Sequence, residues 1–341
     1  MMRRTARIFL FFILLAMATT SCTHKDLCLN HPHEVKLRVE FNWQNAPDAN
    51  PLGMCVFFYP VEEGTYKRID FGGIRGGYIN LDVGKYHVIS YNNDTEVSQF
   101  YNTNDFNTHG AYTREGSVLE PAVGNSASTA PKADGAQEER VVITPDMIWG
   151  CTAFDVEVTE TGVSYSCVPF ISKGDAVNVE TQEHVITLYP DELLCHYSYE
   201  IRNVQNLGSA SQMCASLSGM SGRVTLSTLE LHKECVTLPL GAKINVDEST
   251  VTGEFYTFGH HPENEEPHKM LLYVWMNDGR KLYFGSDDEN FDVTGQVHNA
   301  PNPKRVHIII DGLDLPKQME EDGGYDPSVD DWDTINRDIQ M

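Results

Sequence analysis

The feature of this sequence that most limits its fold is an alternation of apolar and polar residues with a period of two. Near the start of the chain, Val35, Leu37, Val39 and Phe41 alternate with charged or polar residues. Successive side chains of a strand point to opposite faces of a sheet, so this pattern predicts a strand with one buried face. Similar runs recur along most of the chain, with Gly, Asn and Asp between them and little helical periodicity. We therefore predict an all-β, antiparallel fold rather than an α/β fold.

The predicted strands form two series, and 341 residues are enough for two domains. The segment Tyr189-Pro190-Asp191-Glu192 separates the series, which predicts β-sandwich domains at residues 34–190 and 191–315. Asn277-Asp278-Gly279-Arg280 carries an Asp-Gly pair between two apolar runs and predicts a hairpin. The first series covers residues 35–41, 54–59, 66–71, 76–81, 85–91, 141–143, 152–158, 165–170 and 184–189. The second covers residues 195–204, 223–231, 251–258, 269–276, 280–284 and 306–310.

Three segments lack the strand pattern. Residues 114–140, called the insertion below, are rich in Ser, Ala, Gly, Pro and charge, and are predicted to form a mobile surface loop. Residues 209–221, which include the serines of SLSGMSG, are interpreted as a connection with one short helical turn. Residues 316–341 are acidic and Gly-rich, so this tail is predicted to be disordered.

The N-terminus has the organisation of an export signal. Arg3, Arg4 and Arg7 precede an apolar run at residues 8–18, which is too short to span a bilayer. Small residues then lead to Cys22. We therefore predict that residues 1–21 form a signal peptide.

Cys22 is the predicted lipidation site. Acyl chains contribute about 0.8 kcal/mol for each buried methylene, so several chains on one cysteine would hold the protein to a membrane without a transmembrane helix. Thr19 stands where such sites usually have Leu, so ordinary secretory cleavage remains an alternative. Residues 22–33 are polar, contain Pro32, and are predicted to form a tether between the lipid and the first domain.

The charge of the chain argues against nucleic acid as a partner. The formal net charge is −24, and it becomes −27 when the signal peptide removes three arginines and no acidic residue. Such a chain repels phosphate backbones. Acidity of this degree is typical of a solvated surface protein, although it specifies no partner.

The cysteines do not predict a complete disulfide framework. Lipidation of Cys22 leaves seven, an odd number, and no C-x-x-C pair is present. Several cysteines lie in apolar alternating runs and are interpreted as small buried side chains. A Cys151–Cys167 bridge remains open. The eight cysteines are Cys22, Cys28, Cys55, Cys151, Cys167, Cys195, Cys214 and Cys235.

No motif predicts catalysis or a cofactor. One stretch, GHHPENEEPH, is dense in potential metal ligands, but without helical spacing or a His-Glu-x-x-His pattern it is interpreted as a solvated turn between strands. Its candidate ligands are His260, His261, Glu263, Glu265, Glu266 and His268. The Gly-rich stretch 72–77 lacks the strand-to-helix context of a phosphate cradle and is interpreted as a hairpin turn. No Gly-x-Ser-x-Gly elbow is present. We therefore predict no enzyme, no cofactor and no metal site.

Several phrases of the sequence together resemble the fimbrillin-associated anchor lipoproteins of Bacteroidales, in a subgroup carried as a domain of unknown function. They are Cys22 with the tether phrases KDLC and HPH, VEFNW at residues 39–43, GKYHVISYNNDT at 84–95, and FDVTGQ at 291–296. The resemblance implies two transthyretin-like β-sandwiches on a surface-facing, lipid-anchored protein of the outer membrane. It also implies that this protein anchors, initiates or caps a fimbria, with pilin subunits as partners.

In the family that the chain resembles, subunits join when a strand of one completes the sheet of another, through main-chain hydrogen bonds along an unpaired edge. The family pattern does not require the insertion, which could shield an edge. Asp333-Thr334-Ile335 resembles a short O-glycosylation acceptor of this bacterial group, which predicts Thr334 as a modified residue. The alternative function is a surface lipoprotein that binds a glycan or a host ligand, which a cluster of exposed aromatic side chains would favour.

Overall fold

The computed structural model describes residues 34–124, 130–167, 177–181, 183–285, 288–319 and 333–334. These residues are mostly strand, with two short α-helices and two 3-10 turns at Leu207–Ser209 and Glu289–Phe291. The strands before the insertion are β1 Glu34–Phe41, β2 Gly53–Pro60, β3 Lys67–Gly72, β4 Gly77–Asp82, β5 Gly84–Asn92, β6 Ser98–Tyr101 and β7 Gly110–Thr113. Helix α1 is Glu120–Val123, inside the insertion.

The remaining elements follow in chain order. They are β8 Arg140–Val141, β9 Trp149–Val158, β10 Val163–Cys167, β11 Val177–Thr181, β12 Val185–Leu188, β13 Asp191–Glu192, β14 Cys195–Gln205, β15 Ala210–Ser221, β16 Arg223–Thr225, β17 Cys235–Gly241, β18 Lys243–Asn245, β19 Thr250–Thr257, β20 Met270–Met276, β21 Lys281–Phe284, α2 Thr294–His298, β22 Arg305–Asp314 and β23 Asp333–Thr334.

The first pair of sheets encloses one hydrophobic core. The smaller sheet has the order β12-β1-β4, and the larger has the order β11-β10-β9-β5-β2-β3, with β13 also on β9. Leu37 and Val39 of β1 face Met54 and Val56 of β2, and all four are at most 1% exposed. Their i, i+2 spacing is the predicted alternation, because the intervening residues of β1 point to the outer face.

A second pair of sheets encloses a separate core. Its sheets have the orders β18-β19-β14-β22 and β23-β21-β20-β15-β17-β8. Tyr197 and Ile201 of β14 pack in one cluster with Ala215 of β15 and Leu272 of β20, all fully buried. Two pairs of packed, mostly antiparallel sheets confirm the all-β prediction. The transthyretin-like topology and the boundary at residue 190 stay predictions.

A third cluster joins the two pairs of sheets, on the outer face of β2 and β5. Phe57 and Tyr91 from that face pack with Val224 and Leu226, which follow β15 in the chain. A three-stranded sheet, β16-β7-β6, lies in this junction and pairs residues before the insertion with residues after β15. Because the cluster takes buried side chains from both halves of the chain, it fixes the two pairs of sheets to each other.

The hairpin prediction is confirmed. Strands β20 and β21 are antiparallel, with Trp275 opposite Lys281, and Gly279 in the turn has a φ of 86°. Arg280 and the main chain hold the Asp278 carboxylate, which lowers its pKa to about 2. Most of the alternating runs likewise became strands. The strands β6, β7, β11, β13, β17, β18 and β23 were not predicted.

Two local predictions are wrong. Residues 210–221 form the twelve-residue strand β15, not a connection with a helical turn. The Gly-rich stretch after β3 is not a hairpin turn, since β3 pairs with β2 and β4 pairs with β1. It crosses between the two sheets, where the Trp43 indole donates to the Ile74 carbonyl at 2.8 Å. A Cβ on Gly76 would stand 2.1 Å from the Val39 carbonyl oxygen, so only glycine fits this crossing.

Candidate functional site

Sheet edges are the first candidate surfaces, because the outer strand of a sheet carries main-chain groups that can pair with another chain. The β17 edge is covered by β8, which pairs with it in parallel at Val236 and Thr237. The β21 edge is covered by β23, through Leu282 and Tyr283. In the described part of the chain, β22 is an outer strand of the four-stranded sheet. Its outer edge is covered by a side chain and not by a strand.

That side chain is Gln296 of α2. Its amide nitrogen donates to the Ile309 carbonyl at 2.8 Å, and its amide oxygen accepts from the Ile309 N–H at 2.8 Å. Both main-chain groups of Ile309 therefore bind one primary amide. The sequence phrase FDVTGQ contains this residue, but nothing in its spacing indicated the contact.

The insertion is packed against the second pair of sheets, which corrects its prediction as a mobile loop. Its described residues lie over the outer face of β15 and β20, and four of its small or apolar side chains are at most 3% exposed. Residues 125–129 lie outside the described part. The buried cluster contains Val118, Leu119, Ala133 and Ala136 of the insertion with Cys214, Leu271 and Tyr273 of the sheet.

Hydrogen bonds fix the insertion at its end. The Glu139 carboxylate accepts from the Gly219 N–H at 3.1 Å and from the Thr237 hydroxyl at 2.7 Å. Burial raises the pKa of this carboxyl, against the opposing effect of its two donors. The Tyr273 hydroxyl donates to the Pro131 carbonyl at 2.7 Å. The insertion thus covers a sheet face and, through β8, a sheet edge.

Two of the predicted candidate ligands meet in a histidine cluster with a third histidine that was not predicted. The ring centres of His260, His268 and His298 lie 4.9 to 5.4 Å apart. His268 is fully buried, and burial lowers its pKa to about 4. Gly219, which has a φ of 78°, makes room for this ring because it has no side chain. A Cβ at this position would lie 2.7 Å from Nδ1 of His268.

The hydrogen bonds of the cluster define the tautomers. Nδ1 of His268 lies 3.1 Å from the Ser218 carbonyl, which can only accept, so Nδ1 carries the proton. Nε2 of neutral His268 is then an acceptor, and Nε2–H of His298 donates to it at 3.0 Å. His298 could not be identified from the sequence because it lies thirty positions beyond His268 and within a different element.

The other candidate ligands do not join this cluster. Glu263 pairs with Lys233 at the surface, and the main chain of Glu263 donates to the ring of His261. Glu265 and Glu266 are exposed in the same turn. Within the residues that the structure describes, no set of three His, Cys, Asp or Glu side chains is arranged to hold a metal ion.

A second buried histidine, His109, packs against Phe57 in the third cluster, at the junction of the two pairs of sheets. Tyr59 donates its hydroxyl to the Thr103 carbonyl, so its oxygen accepts from Nδ1–H of His109 at 2.6 Å. Tyr91 then donates to Nε2 at 3.1 Å. Both ring nitrogens are satisfied in the neutral form, and burial lowers the pKa of His109 to about 4. This network is structural: it makes a buried polar group compatible with the junction.

Three of the described thiols, at Cys55, Cys195 and Cys214, are not reactive groups. Cys55 and Cys214 are fully buried, and burial raises the pKa of each to about 12. Cys195 is partly exposed, and burial raises its pKa to about 11. Thiols with such values remain protonated and inert. The Cys151–Cys167 bridge stays a prediction, because the Cys167 side chain lies outside the described part; Cys151 itself is buried.

The two modification sites predicted from the sequence lie outside the described side chains. Cys22 precedes the described residues, and Thr334 is described only as part of β23. Lipidation and glycosylation at these positions remain predictions. Among the helices that the structure describes, none combines the length and apolar character needed to cross a bilayer.

The fold and its surfaces define an all-β protein with two pairs of packed sheets, whose accessible main-chain groups lie at sheet edges. A family model described as a domain of unknown function, DUF5119, matches residues 21–241. This match covers more than half of the sequence, and the chain belongs to this family.

Two further comparisons describe its relatives. The chain is 22% identical, over 97% of both chains, to a Bacteroides ovatus protein provisionally named fimbrium anchoring subunit Fim4B. The crystal structure of a protein of Bacteroides ovatus, provisionally described as an adhesin, has a TM-score of 0.55 and 16% identity, and covers 88% of this chain and 98% of its own. That similarity shows the fold. The fimbrial anchor protein Mfa2 of Porphyromonas gingivalis has a TM-score of 0.43 and 13% identity, with 82% and 91% covered.

Proposed function

We propose that this protein is a lipid-anchored subunit that fixes a fimbria to the bacterial outer membrane. The observation that carries the proposal is the correspondence with the Bacteroides ovatus relative named as a fimbrium anchoring subunit, which spans 97% of each chain. Because so little of the chain lies outside it, the correspondence extends over both pairs of sheets.

The N-terminus supplies the membrane attachment in this proposal. A lipid on Cys22 leaves eleven residues before β1 begins at Glu34. A fully extended segment of this length reaches about 40 Å at most. The first pair of sheets would therefore stay close to the membrane, with the second pair available to a partner.

Addition of a fimbrial subunit's strand to a sheet edge is the proposed mode of attachment. Main-chain hydrogen bonds give such an interface continuity without catalytic residues. The alternative, a glycan-binding protein, would present several exposed aromatic rings together. Among the described residues, Tyr78 is an exposed aromatic at 67%, and its near neighbours over the ring are the cations of Lys36 and Arg38 rather than other aromatic side chains. This surface gives no support to a glycan-binding platform of aromatic rings.

The test is recovery of the tagged protein from its native membrane, with identification of the proteins that accompany it. Anchoring predicts that fimbrial subunits are recovered with the native chain. Cys22→Ala should release both the chain and the fimbriae into the medium. Cys28→Ala is the matched control, since it removes a neighbouring cysteine of the tether and should leave attachment unchanged. Recovery of the chain alone, with fimbriae unaffected by Cys22→Ala, would contradict the proposal and favour the alternative.

A further inference from the structure

Strand β22 has the length and position of a strand that could accept a neighbour. It has ten residues, pairs in parallel with β14 on one side, and lies at an edge of the four-stranded sheet. Val306, Ile308 and Ile310 point into the core, so the strand is held in an extended form whether or not its other edge is occupied. A long, preformed edge of this kind is a template for another strand.

The contact at Ile309 reproduces that of a neighbouring strand. In a parallel pair the N–H and C=O of one residue point to the same side, and the side alternates along the strand. Both groups of Ile309 bind Gln296, so they point away from β14. By the same alternation, the main-chain N–H and C=O groups of His307 and Asp311, two residues to either side, also lie on this outer side. The Gln296 amide therefore occupies the place of a single peptide group.

Few contacts hold Gln296 in this place. Helix α2 has five residues and buries one of them, Val297. The Thr294 hydroxyl accepts from the His268 N–H at 2.8 Å, and His298 donates to the His268 ring. A helix of this length is not stable by itself and depends on such contacts. The cover of β22 is a single half-buried side chain, which can rotate away from Ile309 while Val297 stays in the core.

We propose that the outer edge of β22 is the surface that accepts a strand of a fimbrial subunit, and that Gln296 covers this edge until the strand arrives. The inference rests on the proposed anchoring function and adds the location and the cover. An incoming strand replaces the two hydrogen bonds of Gln296 with two of its own. It also gains main-chain bonds at His307 and Asp311, which the side chain does not provide. The exchange therefore favours the strand.

The experiment measures how much fimbrial subunit is recovered from native membranes with variants of the tagged chain. Gln296→Ala removes the competing amide, and we expect recovery at limiting subunit to rise by about fivefold, the equivalent of one typical hydrogen bond. Ile309→Pro removes the outward N–H and should lower recovery. Asn299→Ala is the matched control, because Asn299 is exposed next to α2 and its amide binds Gly295 rather than β22.

The outcomes separate this inference from the anchoring function. Recovery that rises with Gln296→Ala and does not change with Asn299→Ala supports the β22 edge. Equal recovery from the native chain and from Gln296→Ala overturns it, even if Ile309→Pro fails to fold, while anchoring itself stands. If the native chain recovers no fimbrial subunit, the anchoring function fails and this inference fails with it.

Discussion

The insertion and helix α2 both cover main-chain groups of the second pair of sheets, but they are held by different forces. The insertion buries several apolar side chains against β15 and β20, and its Glu139 carboxylate binds inside the structure. Helix α2 buries one side chain and otherwise relies on hydrogen bonds. Burial of apolar area provides stabilisation that water does not replace, whereas water replaces most of a surface hydrogen bond. The first cover is thus permanent and the second is exchangeable.

The two covers approach each other at Gly219, in the bulge of β15. Glu139 of the insertion accepts from its N–H, and the Asn264 side chain donates to its carbonyl at 3.0 Å. The ring of His268, which holds α2, lies against the same glycine. A difference in behaviour between the covers would therefore arise from how each is attached, since their locations are adjacent.

Acid should destabilise two regions: the contacts that hold α2, and the junction between the two pairs of sheets. This is the largest effect that we expect. The pKa of His109 and of His268 is about 4 in the folded chain and about 6.5 when unfolded, so the unfolded chain binds protons first. The stability that comes from keeping these two rings neutral is present in full above pH 6.5 and is lost as the pH falls towards 4. The loss is up to about 3 kcal/mol of unfolding free energy for each histidine. Urea unfolding at pH 7 and pH 5 measures this loss.

The raised pKa of Glu139 has the opposite sign, so this residue does not add to the acid-induced loss. His268→Gln should reduce the dependence on pH by the share of one histidine, and His109→Gln by a similar share. An unfolding free energy that is equal at pH 7 and pH 5 in the native protein would contradict the assignment of both rings as neutral.

Leu119→Ala tests the burial of the insertion. Leu119 is 1% exposed in the cluster with Leu271 and Tyr273, so its truncation leaves a cavity. We expect the free energy of unfolding to fall by about 3 kcal/mol. Val123→Ala lies in the same turn at 38% exposure and should cost about 0.5 kcal/mol or less. Urea denaturation compares the two variants, and similar costs would mean that the insertion is not packed as described.

Glu139→Ala tests the polar attachment of the insertion. It leaves the Gly219 N–H and the Thr237 hydroxyl without their acceptor, and the expected cost is about 2 kcal/mol of unfolding free energy. Glu139→Gln keeps one acceptor oxygen and should cost roughly half as much. Thermal or urea unfolding distinguishes the two. A negligible loss from Glu139→Gln beside a large loss from Glu139→Ala would show that the side chain acts through its volume and not through its hydrogen bonds.

Gln296→Ala should have the smallest effect on stability. It tests whether the contact of Gln296 with Ile309 can be exchanged for another partner. Water can replace the amide at Ile309, so the unfolding free energy should fall by less than about 1 kcal/mol. The amide hydrogen of Ile309 should nevertheless exchange faster, as measured by hydrogen exchange, while Asn299→Ala leaves its rate unchanged. A loss as large as that of Leu119→Ala would remove the distinction between the two covers.

The sequence alone determined the all-β class and most of the strands, because one-sided burial leaves a period-two pattern that needs no partner to be recognised. The hairpin at Asp278 and Gly279 was equally clear, since a tight turn imposes local backbone angles. The family resemblance also came from local phrases of sequence. These features share one property: their physical cause lies within a few consecutive residues.

Only the tertiary structure decided how surfaces are covered. Strand β15 was missed because nine consecutive residues are buried, with the core on one face and covering residues such as those of the insertion on the other, so its sequence does not alternate. The insertion was taken for a loop because small alanines can fill a shallow face without an apolar run. His298 meets His268, and Gln296 meets Ile309, across separations in the chain that no local pattern records. Burial and pairing are properties of both partners, and a sequence pattern reports only one.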